Sequence, residues 1–178
     1  MILQFACSKA GLILYELDPS LAITDPASSK LALEKALTIT KANVLVSQEA
    51  GDDVNYVQLA ESVIPELQIS DMSSGMPFIS PRFPHLRFCL QTGFDDEDTE
   101  GWYRYAYFLV PGEEAKNLAT VGPNLPLKGE LELNPQGIPT GVKTALTNQQ
   151  VIDQKVWPTY SKILEKDFHN VEGVGVIF

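Results

Sequence analysis

The densest group of side chains that could do chemistry lies in the segment FDDEDTEGW, which begins at Phe94. Its carboxylates are Asp95, Asp96, Glu97, Asp98 and Glu100. Hard cations such as Ca²⁺ prefer oxygen ligands, so this segment could bind one. However, the order of the carboxylates differs from that of an EF-hand loop, and a run of like charges is commonly solvated. We therefore predict a solvated acidic loop and assign no metal ligands.

The cysteine and histidine residues are too dispersed to indicate a second kind of site. His85 and His169 lie in different predicted elements, whereas a zinc site needs several ligands at short spacing. Cys7 and Cys89 lie inside apolar runs, where burial raises the pKa of a thiol and suppresses its reactivity. No G-x-S-x-G elbow occurs, and no G-x-G-x-x-G follows a predicted strand. The sequence thus assigns no catalytic, cofactor-binding or metal-ligating residue.

Aromatic residues alternate with smaller ones in GWYRYAYFLVPG, which begins at Gly101. The pattern is typical of a half-buried core strand with tyrosines at its rim. Because aromatic residues and arginine are enriched in protein interfaces, a partner-binding role is the alternative. The candidate interface residues are Trp102, Tyr103, Tyr105, Tyr107 and Phe108. Proline-rich segments and the apolar ending GVGVIF would also suit a chain that wraps a partner.

Helices and strands alternate through the first half of the chain and must position these residues. LQFACSKAGLILYELDP, from Leu3 to Pro19, predicts the back half of a helix, a glycine stop and a strand. The next predicted elements are a helix over Ser28–Ala42, a strand over Asn43–Gln48, a helix over Val54–Leu67 and a strand over Leu86–Gly93. This order implies crossover connections. We predict a three-layer α/β fold whose mostly parallel sheet has helices on its faces.

Local signals mark the ends of these elements. Asp25 or Ser28 can cap the first amphipathic helix, and Pro65 should end or kink the second. The later part of the chain is predicted to be loop-rich, with GELEL as a short strand and a last helix capped by Thr147 or Asn148. We therefore divide the chain into an α/β region over residues 1–110 and a loop-rich extension over residues 111–178, packed on the same domain.

The opening segment resembles a motif of the adenylate-forming superfamily, the AMP-dependent acyl-CoA synthetases and ligases. LQFACSKAGLILYELDP is similar to their helix ending in ACAKAGAI, which is followed by a strand and an Asn-Pro pair. ANVLVSQ and HLRFCLQTG also match the order of later strands in that family. The resemblance covers roughly Met1 to Val110 and implies a partial AMP-binding-like α/β domain.

The adenylation motifs of that family are absent from this chain. Its members bind ATP phosphates on a Ser/Thr/Gly-rich loop ending in Pro-Lys-Gly, because backbone N–H groups and a lysine must neutralise the triphosphate. No such loop follows HLRFCLQTG. KGELEL and PTGVK are similar to a Gly-Glu-Leu signature and to the catalytic-lysine loop, but both are too short to assign. We expect a truncated relative that has lost the adenylation site.

Composition restricts the partners and the compartment. With 23 acidic against 13 basic residues, the formal net charge of −10 repels nucleic acid and anionic membranes. No apolar run reaches the roughly 20 residues that a membrane-spanning helix needs, so membrane insertion is not expected. The presence of only two cysteines favours a reducing, intracellular setting. We see no targeting segment at the amino terminus, and among organelles the mitochondrion is favoured over the plastid.

These observations favour a non-catalytic AMP-binding-like module that serves as an accessory or structural subunit of a larger intracellular assembly. Other protein subunits are its expected partners, and no cofactor is assigned. Two alternatives stay open: a fragment of an adenylate-forming ligase that another chain completes, and a small-molecule binding domain. An acyl or nucleotide ligand would fit either alternative, although no motif supports it.

Overall fold

A computed structural model describes residues 3, 6–7, 10–18, 20–48, 50–51, 54–71, 78–93, 100–105, 122, 124–151 and 153–154. Asp95 to Asp98, Tyr107, Phe108, His169, GVGVIF and the predicted boundary at residue 110 lie outside these residues. The chain divides into two units. The first contains Met1–Glu16, Lys116–Glu130 and Lys143–Phe178, and the second contains Leu17–Ala115 and Leu131–Val142.

Helices and strands alternate in the described residues as the sequence predicts for an α/β protein. The helices are α1 Ser20–Thr24, α2 Pro26–Thr40, α3 Tyr56–Val63 and α4 Asn148–Val151, with a 3₁₀ helix at Pro65–Ile69. The strands are β1 Val44–Ser47, β2 Ala50–Gly51, β3 Val54–Asn55, β4 Phe88–Gln91, β5 Tyr103–Arg104, β6 Pro126–Leu133 and β7 Pro139–Thr147.

Asp25, one of the two predicted caps, is confirmed as the cap of α2, which begins at Pro26, two residues before the predicted start at Ser28. The Oδ1 atom of Asp25 accepts a hydrogen bond from the backbone N–H of Ser28 at 3.2 Å, while Oδ2 accepts one from the Ser28 hydroxyl at 2.5 Å. Pro26 takes the first helical position, where its missing N–H costs nothing. The helix ends at Thr40, and the next residue, Lys41, has a left-handed backbone and donates its N–H to the carbonyl of Leu37 at 3.1 Å.

Helix α3 also begins and ends at residues with a clear physical role. Asn55 caps it by accepting a hydrogen bond from the backbone N–H of Gln58 at 2.8 Å. Pro65 cannot donate to the helical ladder, and α3 ends at Val63 as predicted. The chain then tightens into the 3₁₀ helix, which Pro65 begins.

Three parallel strands form the largest sheet of the second unit, in the order β1-β4-β5. Val44 pairs with Phe88 and Ser47 with Gln91, while Leu90 pairs with Tyr103 in the last strand. A separate antiparallel pair joins β2 and β3. The described chain is thus a mixed α/β protein with a small parallel sheet, and the three-layer arrangement stays a prediction.

One hydrophobic core holds the second unit together. The core is formed by apolar side chains of α2, α3, the 3₁₀ helix, β4 and the connections around them: Leu33, Leu37, Val57, Ala60, Val63, Ile64, Leu67, Phe78, Phe83, Leu86, Cys89 and Trp102. Ile64, Leu67 and Leu86 have no exposed surface, so the residues that leave α3 and enter β4 are as deeply buried as the helices.

The opening segment of the first unit has the predicted helix and glycine stop. Leu3, Ala6, Cys7 and Ala10 are helical, and Gly11 has a positive φ of 72°. Beyond it, the N–H of Leu12 donates to the carbonyl of Cys7 at 2.8 Å, which is the hydrogen bond of a Schellman cap. The predicted strand is reduced to one parallel bridge between Leu14 and Lys128.

The predicted strand GELEL is confirmed within β6, whereas the loop predicted for the following LNPQGIPTG was wrong, because β7 begins at Pro139 and pairs with β6 as a hairpin. The Oδ1 atom of Asn134 accepts hydrogen bonds from the N–H groups of Gln136 and Ile138, at 3.0 and 2.9 Å. Gly137 supplies the positive φ, 77°, that such a turn requires. The proline and glycine residues of LNPQGIPTG therefore mark a hairpin turn and not a long loop.

The predicted Thr147 cap of the last helix is confirmed. The Thr147 hydroxyl accepts a hydrogen bond from the N–H of Gln150 at 3.1 Å, and the Gln150 side chain accepts one from the N–H of Thr147 at 2.8 Å. This reciprocal pair is a capping box. It begins α4 directly at the end of β7.

We expect Asp25→Ala to lower the urea midpoint of unfolding at pH 7, because it leaves first-turn N–H groups of α2 unpaired. Bonds from the hydroxyl and backbone N–H of Ser28 lower the pKa of Asp25 below its usual 3.8. Its ionised form therefore stabilises the fold above about pH 4, and this contribution is lost as the pH falls further. Urea titrations followed by circular dichroism at pH 7 and pH 3 measure the difference.

Asp25→Asn is the matched control for this prediction. The amide oxygen can still accept from Ser28, so this variant should keep most of the cap without its pH dependence. A midpoint for Asp25→Ala equal to that of the unmodified protein at pH 7 would contradict the assigned cap.

Candidate functional site

The two sides of the parallel sheet have different environments. Side chains alternate between the sides of a strand, and residues paired in parallel register share a side. Leu45 and Cys89 are paired and face the core, with Cys89 only 1% exposed. The opposite side carries Val44, Val46, Phe88, Leu90 and Tyr103, and we call these five residues the apolar face.

The apolar face is incompletely buried within this chain. Val44 is 39% exposed and Phe88 is 44% exposed, although Phe88 lies on the central strand. The Phe88 and Tyr103 rings pack at 5.9 Å between centroids with an interplanar angle of 53°. Because parallel sheets are normally covered on both sides, an exposed apolar side chain on a central strand indicates a surface suited to packing.

The predicted interface residues are divided between the core and this face. Trp102 is 5% exposed and packs in the core, where its Nε1–H donates to the Glu61 carboxylate at 3.2 Å. Tyr103 belongs to the apolar face, and Tyr105 is half-buried. The core interpretation therefore holds for Trp102. A partner-binding role for this stretch stays a prediction.

The close approach of Gly101 to the 3₁₀ helix explains how Trp102 reaches the core. Gly101 has a φ of 76°, and a Cβ atom there would collide with the backbone carbonyl of Leu67. Only glycine accepts both the left-handed backbone and this contact without strain. The chain therefore enters β5 with Trp102 buried and Tyr103 on the opposite side.

An irregular connection carries the chain from α3 to the central strand. Ser80 is fully buried, and its hydroxyl donates to the Glu66 carboxylate at 3.2 Å while accepting from the N–H of Phe83 at 3.3 Å. Arg82 donates to the carbonyl of Val63 at the end of α3. The segment DMSSGMPFISPRFPH is typical of an ordered but irregular connection. Its described part, residue 71 and residues 78–85, has no helix or strand, as expected.

Polar side chains lie together at the carboxyl end of the sheet. Ser47, Gln91 and Arg104 are in register on the core side, and Gln91 is 3% exposed. Ligands of open α/β sheets bind at such an edge, and an arginine there could pair with a carboxylate or phosphate. Gln91 and Arg104, however, both already interact within the chain. Contacts within the chain account for Gln91 and Arg104, so we do not assign a ligand site to these three side chains.

The remaining candidates for chemistry within the described residues are two cysteines and one histidine, His85. Burial raises the pKa of the Cys89 thiol to about 12, and burial also raises the pKa of Cys7. His85 is half-buried, with its ring against that of Phe83 at 6.3 Å between centroids. Among the described residues, no three His, Cys, Asp or Glu side chains are grouped to hold a metal ion.

No family model matches the chain, and no curated protein matches it. The resemblance to adenylate-forming enzymes therefore stays a prediction. Within the part of the chain that the structure describes, none of the helices has the length and apolar character needed to cross a membrane.

We expect the Cys89 thiol to resist Ellman's reagent in the native protein. In a Cys7→Ser variant at pH 8, it should react at least about tenfold more slowly than in denaturing urea, because burial raises its pKa to about 12 and leaves the side chain only 1% exposed to the reagent. Stopped-flow absorbance at 412 nm gives both rates. Similar rates in the two conditions would contradict the burial of Cys89.

Proposed function

We propose that this chain is a non-catalytic accessory subunit that binds another protein through the apolar face. The observation that carries the proposal is the exposure of Phe88 on the central strand, beside Tyr103 and Val44. Phenylalanine and tyrosine are large apolar anchors that lose little side-chain entropy on binding. A partner that covers them removes from water apolar surface that the described residues leave exposed.

The energetic gain from this surface is moderate. Full burial of a large apolar side chain contributes about 1.5–3 kcal/mol, and Phe88 is already partly covered within the chain. The apolar face would thus supply an anchor inside a larger contact, since affinity is concentrated in a few well-packed residues. A single anchor inside a larger contact fits the proposed role as a subunit of an assembly.

We also propose that the α/β region descends from an enzyme of the adenylate-forming superfamily. This ancestry concerns the origin of the fold and not the present activity of the chain. The segment that is similar to the catalytic-lysine loop, PTGVK, lies in β7, where Lys143 is exposed 4.0 Å from the Glu130 carboxylate. A lysine paired on a hairpin surface has no described site to act on. This placement favours the non-catalytic interpretation over a ligase fragment.

We expect Phe88→Ser to abolish copurification of the partner from the native source, because it removes the central anchor of the apolar face. The matched control is Ile79→Ser: Ile79 is 65% exposed, and it lies in the connection outside the apolar face. Quantitative mass spectrometry of tagged full-length chains measures partner recovery. Recovery should fall at least about tenfold for Phe88→Ser, which corresponds to a loss of about 1.4 kcal/mol, and stay unchanged for Ile79→Ser.

Circular dichroism of the two variants separates lost binding from lost folding. Both substitutions replace an exposed apolar side chain, so both spectra should match that of the unmodified protein. A monodisperse monomer with no copurifying protein would contradict the proposal, as would equal partner recovery from both variants.

The ligase alternative predicts ATP binding and pyrophosphate exchange. We expect neither from the chain alone, since no Ser/Thr/Gly-rich loop ending in Pro-Lys-Gly is present to hold the phosphates. Calorimetric titration with ATP and an exchange assay with a mixture of carboxylic acids test this expectation. Exchange above the no-enzyme background, abolished by Lys143→Ala, would establish the ligase alternative instead.

A further inference from the structure

We draw no further inference here: the strongest candidate, the apolar face of the β1-β4-β5 sheet, belongs to the site already described, and nothing in the described residues shows what covers it.

Discussion

The packing of α2 and α3 against the Leu45 and Cys89 side of the sheet is the constraint on which the second unit depends. It fixes which side of each strand is buried, because a shift of one residue would move every side chain to the other side. The connection through Ser80 and Phe83 then brings the chain from the end of α3 to β4 in the correct register. Once Cys89 is inside, Phe88 must lie on the other side.

The ends and caps of the helices were predictable because local residues determine them. Asp25, Gly11, Pro65 and Thr147 each act on backbone groups within a few residues, so the sequence alone indicates where α2 begins and where α3 ends. The alternation in GWYRYAYF likewise predicted a half-buried core strand with tyrosines at its rim, and Trp102 in its described part lies in the core. These features require no knowledge of the fold.

Features that depend on distant partners were not predictable to the same extent. The hairpin β6–β7 was missed because its turn residues resemble a loop and Gly129 and Gly141 interrupt the apolar alternation. Gly129 packs against the Tyr15 ring, a contact that no local pattern encodes. The apolar face was not predicted either. Val44 and Phe88 come together only through the β1–β4 pairing, whereas all the predicted interface residues came from the single segment GWYRYAYFLVPG.

The order of side chains along β4 argues that its second side is not a solvent side. A strand with one side in water places polar residues there and apolar residues inward. In β4 the outward positions are Phe88 and Leu90, while the polar residue, Gln91, is buried on the same side as Cys89. Phe88 is 44% exposed on the outward side, whereas Cys89 and Trp102 lie in the core on the other side. Packing against something beyond the described residues gives this pattern a physical reason.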